Sequence, residues 1–471
     1  MAYHIRSRGE REKKILDVCG DNLAKNILLY TFPLMASGVL QTFFTTADAI
    51  VVGRFAENGD TALAAIGSTS ALINLIINLL FGLTVGTSVA VAHAYGSHDD
   101  KSVSDVTHTS IVTAVVGGIA VGIIGFVFSR TFLGMMSTPS QIIDQATIYM
   151  KIYFVGLPSM MVYNFASSIM RSVGDTRHPL MFLVIGGVVN VLLNLFFVLV
   201  LKFRVEGVAV ATAISETVSA VLSVVYLMKI DGPHKIVIRK LRIHWKCLKM
   251  MMKIGIPAGI QGTVFSISNI LIQSSVNSFG HIFVIGNSAA QNIESYIYIA
   301  MNSFYHTALT FVGQHIGAKR PERIRKIVLL TLTYVGVTGL ILGFAAYGAA
   351  RPLLGIYLPT NPEAVEFGVM RMAIVCTMYC TCGIMDCFTG FLRGMGSSLT
   401  PMIISLTGAC GFRVLWIYTV FAANHTPTVL YLSYPVSWMI SIAAQLVAYF
   451  IIKRKVKIRA AESRIAEVTD G

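Results

Sequence analysis

The chain has 471 residues, of which 55% are hydrophobic and only 13% charged, with a mean hydropathy of +0.69. Soluble domains carry about 25% charged residues, so this composition excludes an ordinary water-soluble protein. The net charge of +14 would suit a nucleic-acid binder, but its placement along the chain accounts for it without one.

In chain order, twelve stretches approach the roughly 20 apolar residues a membrane span needs: 27–53, 62–90, 108–132, 140–170, 179–201, 207–229, 251–279, 286–313, 327–349, 363–392, 401–422 and 428–452. None alternates with a period of two, as a lipid-facing barrel strand would. The expected fold is an all-α integral membrane protein with about twelve transmembrane helices. Residues 1–26 are charged and polar and lack the features of a signal peptide. Residues 231–253 interleave apolar side chains with Lys235, Arg239, Lys240, Arg242, Lys246 and Lys249, the pattern of a segment lying on a membrane surface.

Of the 37 Lys and Arg, 29 fall on alternate connections and at the two ends of the chain. Seven (Arg54, Arg130, Lys151, Lys202, Arg204, Arg351 and Arg371) fall at the opposite ends of spans, and Arg413 lies within one. This asymmetry is the positive-inside pattern. It predicts a multi-pass protein of the inner (plasma) membrane with both termini cytoplasmic.

Three sequence echoes recur at offsets of 221 to 224 residues. Phe32-Pro33 pairs with Ile256-Pro257. His93-Ala94-Tyr95-Gly96 pairs with Gln314-His315-Ile316-Gly317. Arg171, Gly174 and Pro179 pair with Arg393, Gly396 and Pro401. A duplicated unit of several helices is how many secondary transporters are built. The expected division is residues 1–234 and 235–471, two pseudo-symmetric six-helix lobes, the second preceded by the basic linker.

Charges within spans are costly, about 2.5–3.5 kcal/mol each at the bilayer centre, so each needs a reason. Asp48, Glu216, Glu294, Asp386 and Arg413 lie there. Asp48 is five residues before Gly53. Asn194 follows Pro179 by fifteen residues, about 22 Å along a helix. Thr212 is five residues into the sixth span, so these three share one depth, with Asn190 and Glu216 one turn deeper. A carboxylate among carboxamide and hydroxyl oxygens suits a proton or a hard cation such as Na⁺; the alternative is that Asn190, Asn194 and Thr212 hold helices together. In the second half, Asp386 and Arg413 differ in depth by about 8 Å, leaving an ion pair and a substrate contact both open. Glu294 is a further candidate for either role. Cys376, Cys380, Cys382 and Cys387 crowd one span without metal-ligand spacing, and small buried residues between close helices are expected there. The sequence lacks H-E-x-x-H and G-x-S-x-G, so no enzyme, cofactor or resident metal is expected, Na⁺ at Asp48 excepted.

Several of these motifs resemble the multidrug and toxic compound extrusion (MATE) family of bacterial type. Pro33 with Asp48-Ala49-Ile50-Val51-Val52-Gly53 is similar to its first helix. Ala92-His93-Ala94-Tyr95-Gly96 and Val312 to Ala318 are similar to the loops after its second and eighth helices. Arg171, Gly174-Asp175-Thr176 and Pro179 resemble the loop after the fourth, and Gly207 to Thr212 the start of the sixth. The resemblance implies a two-lobed exporter of amphipathic, often cationic, organic compounds in exchange for H⁺ or Na⁺. It places Asp48 at the family's first-helix cation ligand and Asn190 and Asn194 at an Asn-x-x-x-Asp pair, with Asn194 in place of the Asp. The expected partners are small-molecule substrates, the coupling ion and the lipid bilayer, with no nucleic acid and a monomeric state. A lipid or polysaccharide flippase of the same helix architecture is the alternative.

Overall fold

The computed structural model describes residues 15–55, 59–136, 138–203 and 205–469. Arg6, Arg8, Arg11, Lys13, Lys14 and Arg204, which enter the charge asymmetry, lie outside the described residues. Long apolar runs in lipid must satisfy their own backbone hydrogen bonds, and helices do so within one segment. The described residues accordingly form helices α1 (Leu23–Phe55), α2 (Gly59–Gly96), α3 (Asp100–Met135), α4 (Ile143–Ser172), α5 (Arg177–Leu195) and α6 (Val205–Lys229). After a connection with one short 3₁₀ turn come α7 (Trp245–Asn277), α8 (His281–Gly317), α9 (Ile324–Gly348) and the short α10 (Ala350–Tyr357). The chain ends with α11 (Pro362–Val375), α12 (Tyr379–Gly394), α13 (Leu399–Ile404), α14 (Phe412–Trp416) and α15 (Pro427–Thr469). Local chemistry sets the starts. Asp99 accepts from the backbone N–H of Ser102 at 2.9 Å ahead of α3, and Asn361 from that of Ala364 at 3.2 Å, with Pro362 opening α11.

Among the described residues, ten helices or helix runs are long and apolar enough to cross a membrane, and the pair α11–α12, bent by 49°, makes an eleventh. The sequence expectation is about twelve; α8 has the length of a span, 37 residues, but is not apolar enough to be counted among these. Asn287, Gln291, Asn292, Glu294, Asn302 and His306 make it more polar than the rest.

Contacts divide the chain into two compact units. Of the described residues, one unit comprises those within 15–17 and 36–255, the other those within 18–35 and 256–469. The first therefore takes the later part of α1 and the opening turns of α7, and the second takes the remainder of each helix. The changeovers fall beside Pro33 and Pro257, the one proline inside each helix.

Within each unit the sequence echoes become matching geometry. Gly174 and Gly396 both have left-handed backbone, φ 104° and 84°. The first follows α4, with Asp175 N–H bonded to Met170 C=O at 2.9 Å; the second follows α12, with Ser397 N–H bonded to Leu392 C=O at 3.0 Å. His98 after α2 (φ 56°) and Lys319 after α8 (φ 53°) are a second matched pair. Such caps satisfy the last carbonyls of a helix and turn the chain sharply. Helix contacts repeat as well. A Cβ on Gly122 of α3 would sit 2.8 Å from the Phe154 carbonyl of α4, and one on Gly343 of α9 would sit 2.1 Å from the Cys376 carbonyl after α11. Cys376 is fully buried at this contact, in the helix-approach role expected for the cysteine-rich span.

Candidate cation and substrate sites

In the first unit, Asn190 and Asn194 are one turn apart on α5 and so face the same way. Beyond Asn194 the helix widens into a π turn, Phe196–Val200, a distortion frequent at functional sites. The Asn194 Nδ2 amide donates to Asp48 Oδ1 on α1 and, at 3.2 Å, to Asn190 Oδ1. Asn190 Nδ2 in turn donates to Thr212 Oγ1 on α6 at 3.4 Å, and the Thr212 hydroxyl donates to the Val208 carbonyl at 2.9 Å. Asn190 and Asn194 are buried and Asp48 is half-buried. Oδ1 of Asn194 is sealed from solvent without a hydrogen-bond partner among the described residues. Tyr149 of α4 lies within electrostatic range of Asp48 and stacks on Tyr153, ring centroids 6.5 Å apart. Glu216 sits one turn beyond Thr212, beside Tyr153, with Oε2 sealed and unpartnered. The structure thus joins Asp48, Asn190, Asn194 and Thr212 in one relay and leaves Glu216 next to it, unconnected by hydrogen bonds.

In the second unit, Glu294 of α8 is held by Arg371 of α11 through two parallel bonds, Nε to Oε1 at 2.8 Å and a terminal nitrogen to Oε2 at 2.7 Å. The other terminal nitrogen of Arg371 donates to Asn287 Oδ1 at 2.9 Å, which also accepts from Tyr431 at 3.2 Å. Arg371 is 3% exposed. The charge pattern sets this residue at a span end as a flanking charge; the structure places it in the interior, paired. The signal was its place eight residues into the 363–392 stretch, matched by Glu294 eight residues into the 286–313 stretch. Asp386 of α12 is half-buried, hydrogen-bonded to Asn302, with Oδ2 sealed and unpartnered.

The Asp386–Arg413 pairing left open by depth is not formed. Arg413 donates from Nε to Ser437 Oγ of α15 at 2.8 Å, and its guanidinium lies 4.5 Å from the Tyr434 ring centroid and 5.9 Å from that of Trp438. The depth difference of about 8 Å left the pair within partial reach of an extended Arg, but the guanidinium is taken up by Ser437 and the Tyr434 and Trp438 rings instead. Arg393, the first residue of the second echo motif, bonds instead to Tyr305 Oη at 2.6 Å and Gln261 Oε1 at 2.7 Å, tying α12 to α8 and α7.

Outside the spans, Asp175 after α4 is buried and accepts from His178 Nδ1 at 2.7 Å and from Tyr226 Oη at 2.8 Å. Burial works against its charge, but the bonds from His178 and Tyr226 together prevail and hold the carboxyl below its usual range. His234, 2% exposed, has neither ring nitrogen hydrogen-bonded among the described residues, and burial pushes its imidazole down to about 4 against the pull of Asp175.

A duplicated helical membrane fold with polar clusters buried in each unit defines a secondary-transporter architecture. The chain belongs to the MatE family, whose model matches twice, at residues 33–196 and 257–419. The two matches open on Pro33 and Pro257, the first of the sequence echoes. The chain is 27% identical over 395 residues to "Probable multidrug resistance protein YpnP" of Bacillus subtilis (strain 168), covering 83% of this chain and 87% of the relative. It is 26% identical over 397 residues to "Probable multidrug resistance protein YoeA" of the same organism, covering 83% and 85%. The crystal structure of the Vibrio cholerae MATE transporter VcmN in the bent form shares the fold, with a TM-score of 0.85 at 20% identity, over 93% of this chain and 98% of that one. The protein is a multi-pass membrane transporter of this multidrug efflux family and not an enzyme.

Proposed function

We propose that the protein is a cation-coupled antiporter that exports amphipathic organic compounds, with Asp48 as the coupling residue and H⁺ as the ion. The observation that carries this reading is the Asn194 amide aimed at Asp48. A lone carboxylate that accepts an N–H donor is stabilised as an anion by hydrogen bonding, and it loses that anion by protonation when its surroundings dry out. A Na⁺ ion needs several oxygens facing inward, and the Asn194 donor points the wrong way for it. On protonation, rotation of the Asn194 amide by half a turn would present Oδ1, now without a partner, to the Asp48 O–H. Asn190 and Thr212 would then receive the changed donor pattern along the relay. Glu216 supplies a second carboxyl one turn beyond Thr212.

The basic connections set the cytoplasmic side, so Asp48 lies toward the external end of α1 and both termini are cytoplasmic, in the inner membrane. The covalent halves 1–234 and 235–471 form the duplicated lobes of a monomer. The test is efflux of a cationic dye from proteoliposomes under either a pH gradient or a Na⁺ gradient. The reading expects the pH gradient to drive efflux; efflux driven by Na⁺ and indifferent to pH would overturn the choice of ion.

A further inference from the structure

We propose that Arg413 is a binding site for the anionic group of an aromatic or conjugated organic anion, so that the transported compounds include organic anions. A guanidinium is charged at every accessible pH and carries five N–H donors. Arg413 is 3% exposed, yet among the described residues its one hydrogen bond is from Nε to Ser437, and no carboxylate forms a salt bridge with it. The carboxylates that could neutralise it are committed or turned away: Glu294 is held bidentately by Arg371, and Asp386 bonds to Asn302. A buried cation without a counter-ion is expensive in a membrane protein, and such residues mark ligand pathways.

The terminal amino groups of Arg413 are not among the sealed polar atoms that lack partners, a class that includes Nε of Arg393 and Oδ2 of Asp386. They therefore retain a trace of accessible surface on a residue that is 3% exposed overall. The backbone around Arg413 is a second, independent pointer. Its short helix α14 is flanked by π-helical segments on both sides, Ser405–Gly411 and Ile417–Phe421. The contrast with Arg371 is direct: three of its nitrogens are bonded to side-chain oxygens, as a structural arginine requires.

Tyr434 and Trp438 set the chemistry of the ligand. Their rings, 8% and 4% exposed, already lie against the Arg413 guanidinium, so an anion whose carboxylate or phosphate meets the remaining N–H groups would bring its own flat ring into aromatic surroundings. The proposal refines the transporter reading by adding a substrate class, but the measurement is of binding, so it stands or falls separately from ion coupling.

Fluorescein and rhodamine 6G offer one xanthene ring with opposite charge. Their binding to the purified full chain in neutral detergent, without a gradient, is measured for wild type, Arg413→Gln and Arg413→Lys. Wild type should bind fluorescein saturably below about 1 mM. Arg413→Gln should weaken it by about tenfold or more, and Arg413→Lys should recover part of the loss. Rhodamine 6G affinity and the thermal midpoint of Arg413→Gln should not fall, because the substitution removes a buried cation that no carboxylate neutralises, while glutamine can still donate to Ser437. Absence of wild-type fluorescein binding, unchanged fluorescein binding in Arg413→Gln, or a glutamine and lysine variant equally impaired would overturn the proposal. So would unfolding of Arg413→Gln, which would make the residue structural. Phosphatidylglycerol added to the wild type should leave fluorescein bound; stoichiometric displacement would assign the site to a lipid headgroup and overturn the organic-anion class.

Discussion

The Asn194 amide donates to both Asp48 and Asn190, and on the proposed reading this double commitment sets what Asp48 binds. Restoring a carboxylate with Asn194→Asp would replace a donor by an oxygen and add a negative charge, both of which favour a hard cation. Efflux by that variant should acquire a response to an imposed Na⁺ gradient in proteoliposomes; a response no different from wild type would remove Asn194 from ion selection. Glu294 has the opposite character. Its two oxygens neutralise a buried Arg371, so Glu294→Gln should destabilise the protein by about 3–5 kcal/mol by stranding that cation. Thermal unfolding in detergent reads this, and Glu294→Met with Arg371→Met should recover most of the loss. Sequence reasoning brought Asp48, Asn190, Asn194 and Thr212 together because helix rise converts residue counts into depth. The same counting left the pairing of Asp386 with Arg413 open, since a depth difference of about 8 Å does not say which neighbours a long side chain takes. It also missed the Arg371–Glu294 pair, which joins two helices distant in sequence.

At the scale of elements, the duplication is carried by close helix approaches and by left-handed turns. Gly343 on α9 has no room for a methyl group, while Gly336 on the same helix has nothing within 4 Å of its would-be Cβ. Gly343→Ala should therefore lower stability by about 1–3 kcal/mol through forced separation of the helices. Gly336→Ala should be neutral or slightly stabilising, because alanine loses less backbone freedom in a helix. Equal thermal midpoints for the two variants would contradict the packing argument. The turns were legible as sequence echoes because glycine is the residue that a positive φ selects, as at Gly174 and Gly396. The bend between α11 and α12 was not legible: its sequence reads as one apolar stretch and carries no proline at the break. The changeover of α1 and α7 between the two compact units was equally hidden, since hydropathy records burial in lipid or protein alike and not which unit a helix joins.

For the whole molecule, acid should loosen the fold through His234. His234 takes up a proton at about 4 in the folded protein and near the ordinary histidine value of 6.5 when unfolded. Its contribution to stability is full above about pH 6.5 and is lost as the pH falls through about 4, on the order of 3 kcal/mol in all. The thermal midpoint should fall across that window, and His234→Phe should flatten the decline; an unaltered slope would show that another group sets it. In the proposed function, the transport cycle rests on Asp48. The most direct measurement is efflux by Asp48→Asn, reconstituted at the same density as wild type, with an imposed pH gradient as the driving force. The account predicts that the variant inserts and folds normally, because an amide can still bond to Asn194, yet shows no gradient-driven efflux. Efflux by Asp48→Asn at the wild-type rate would contradict it.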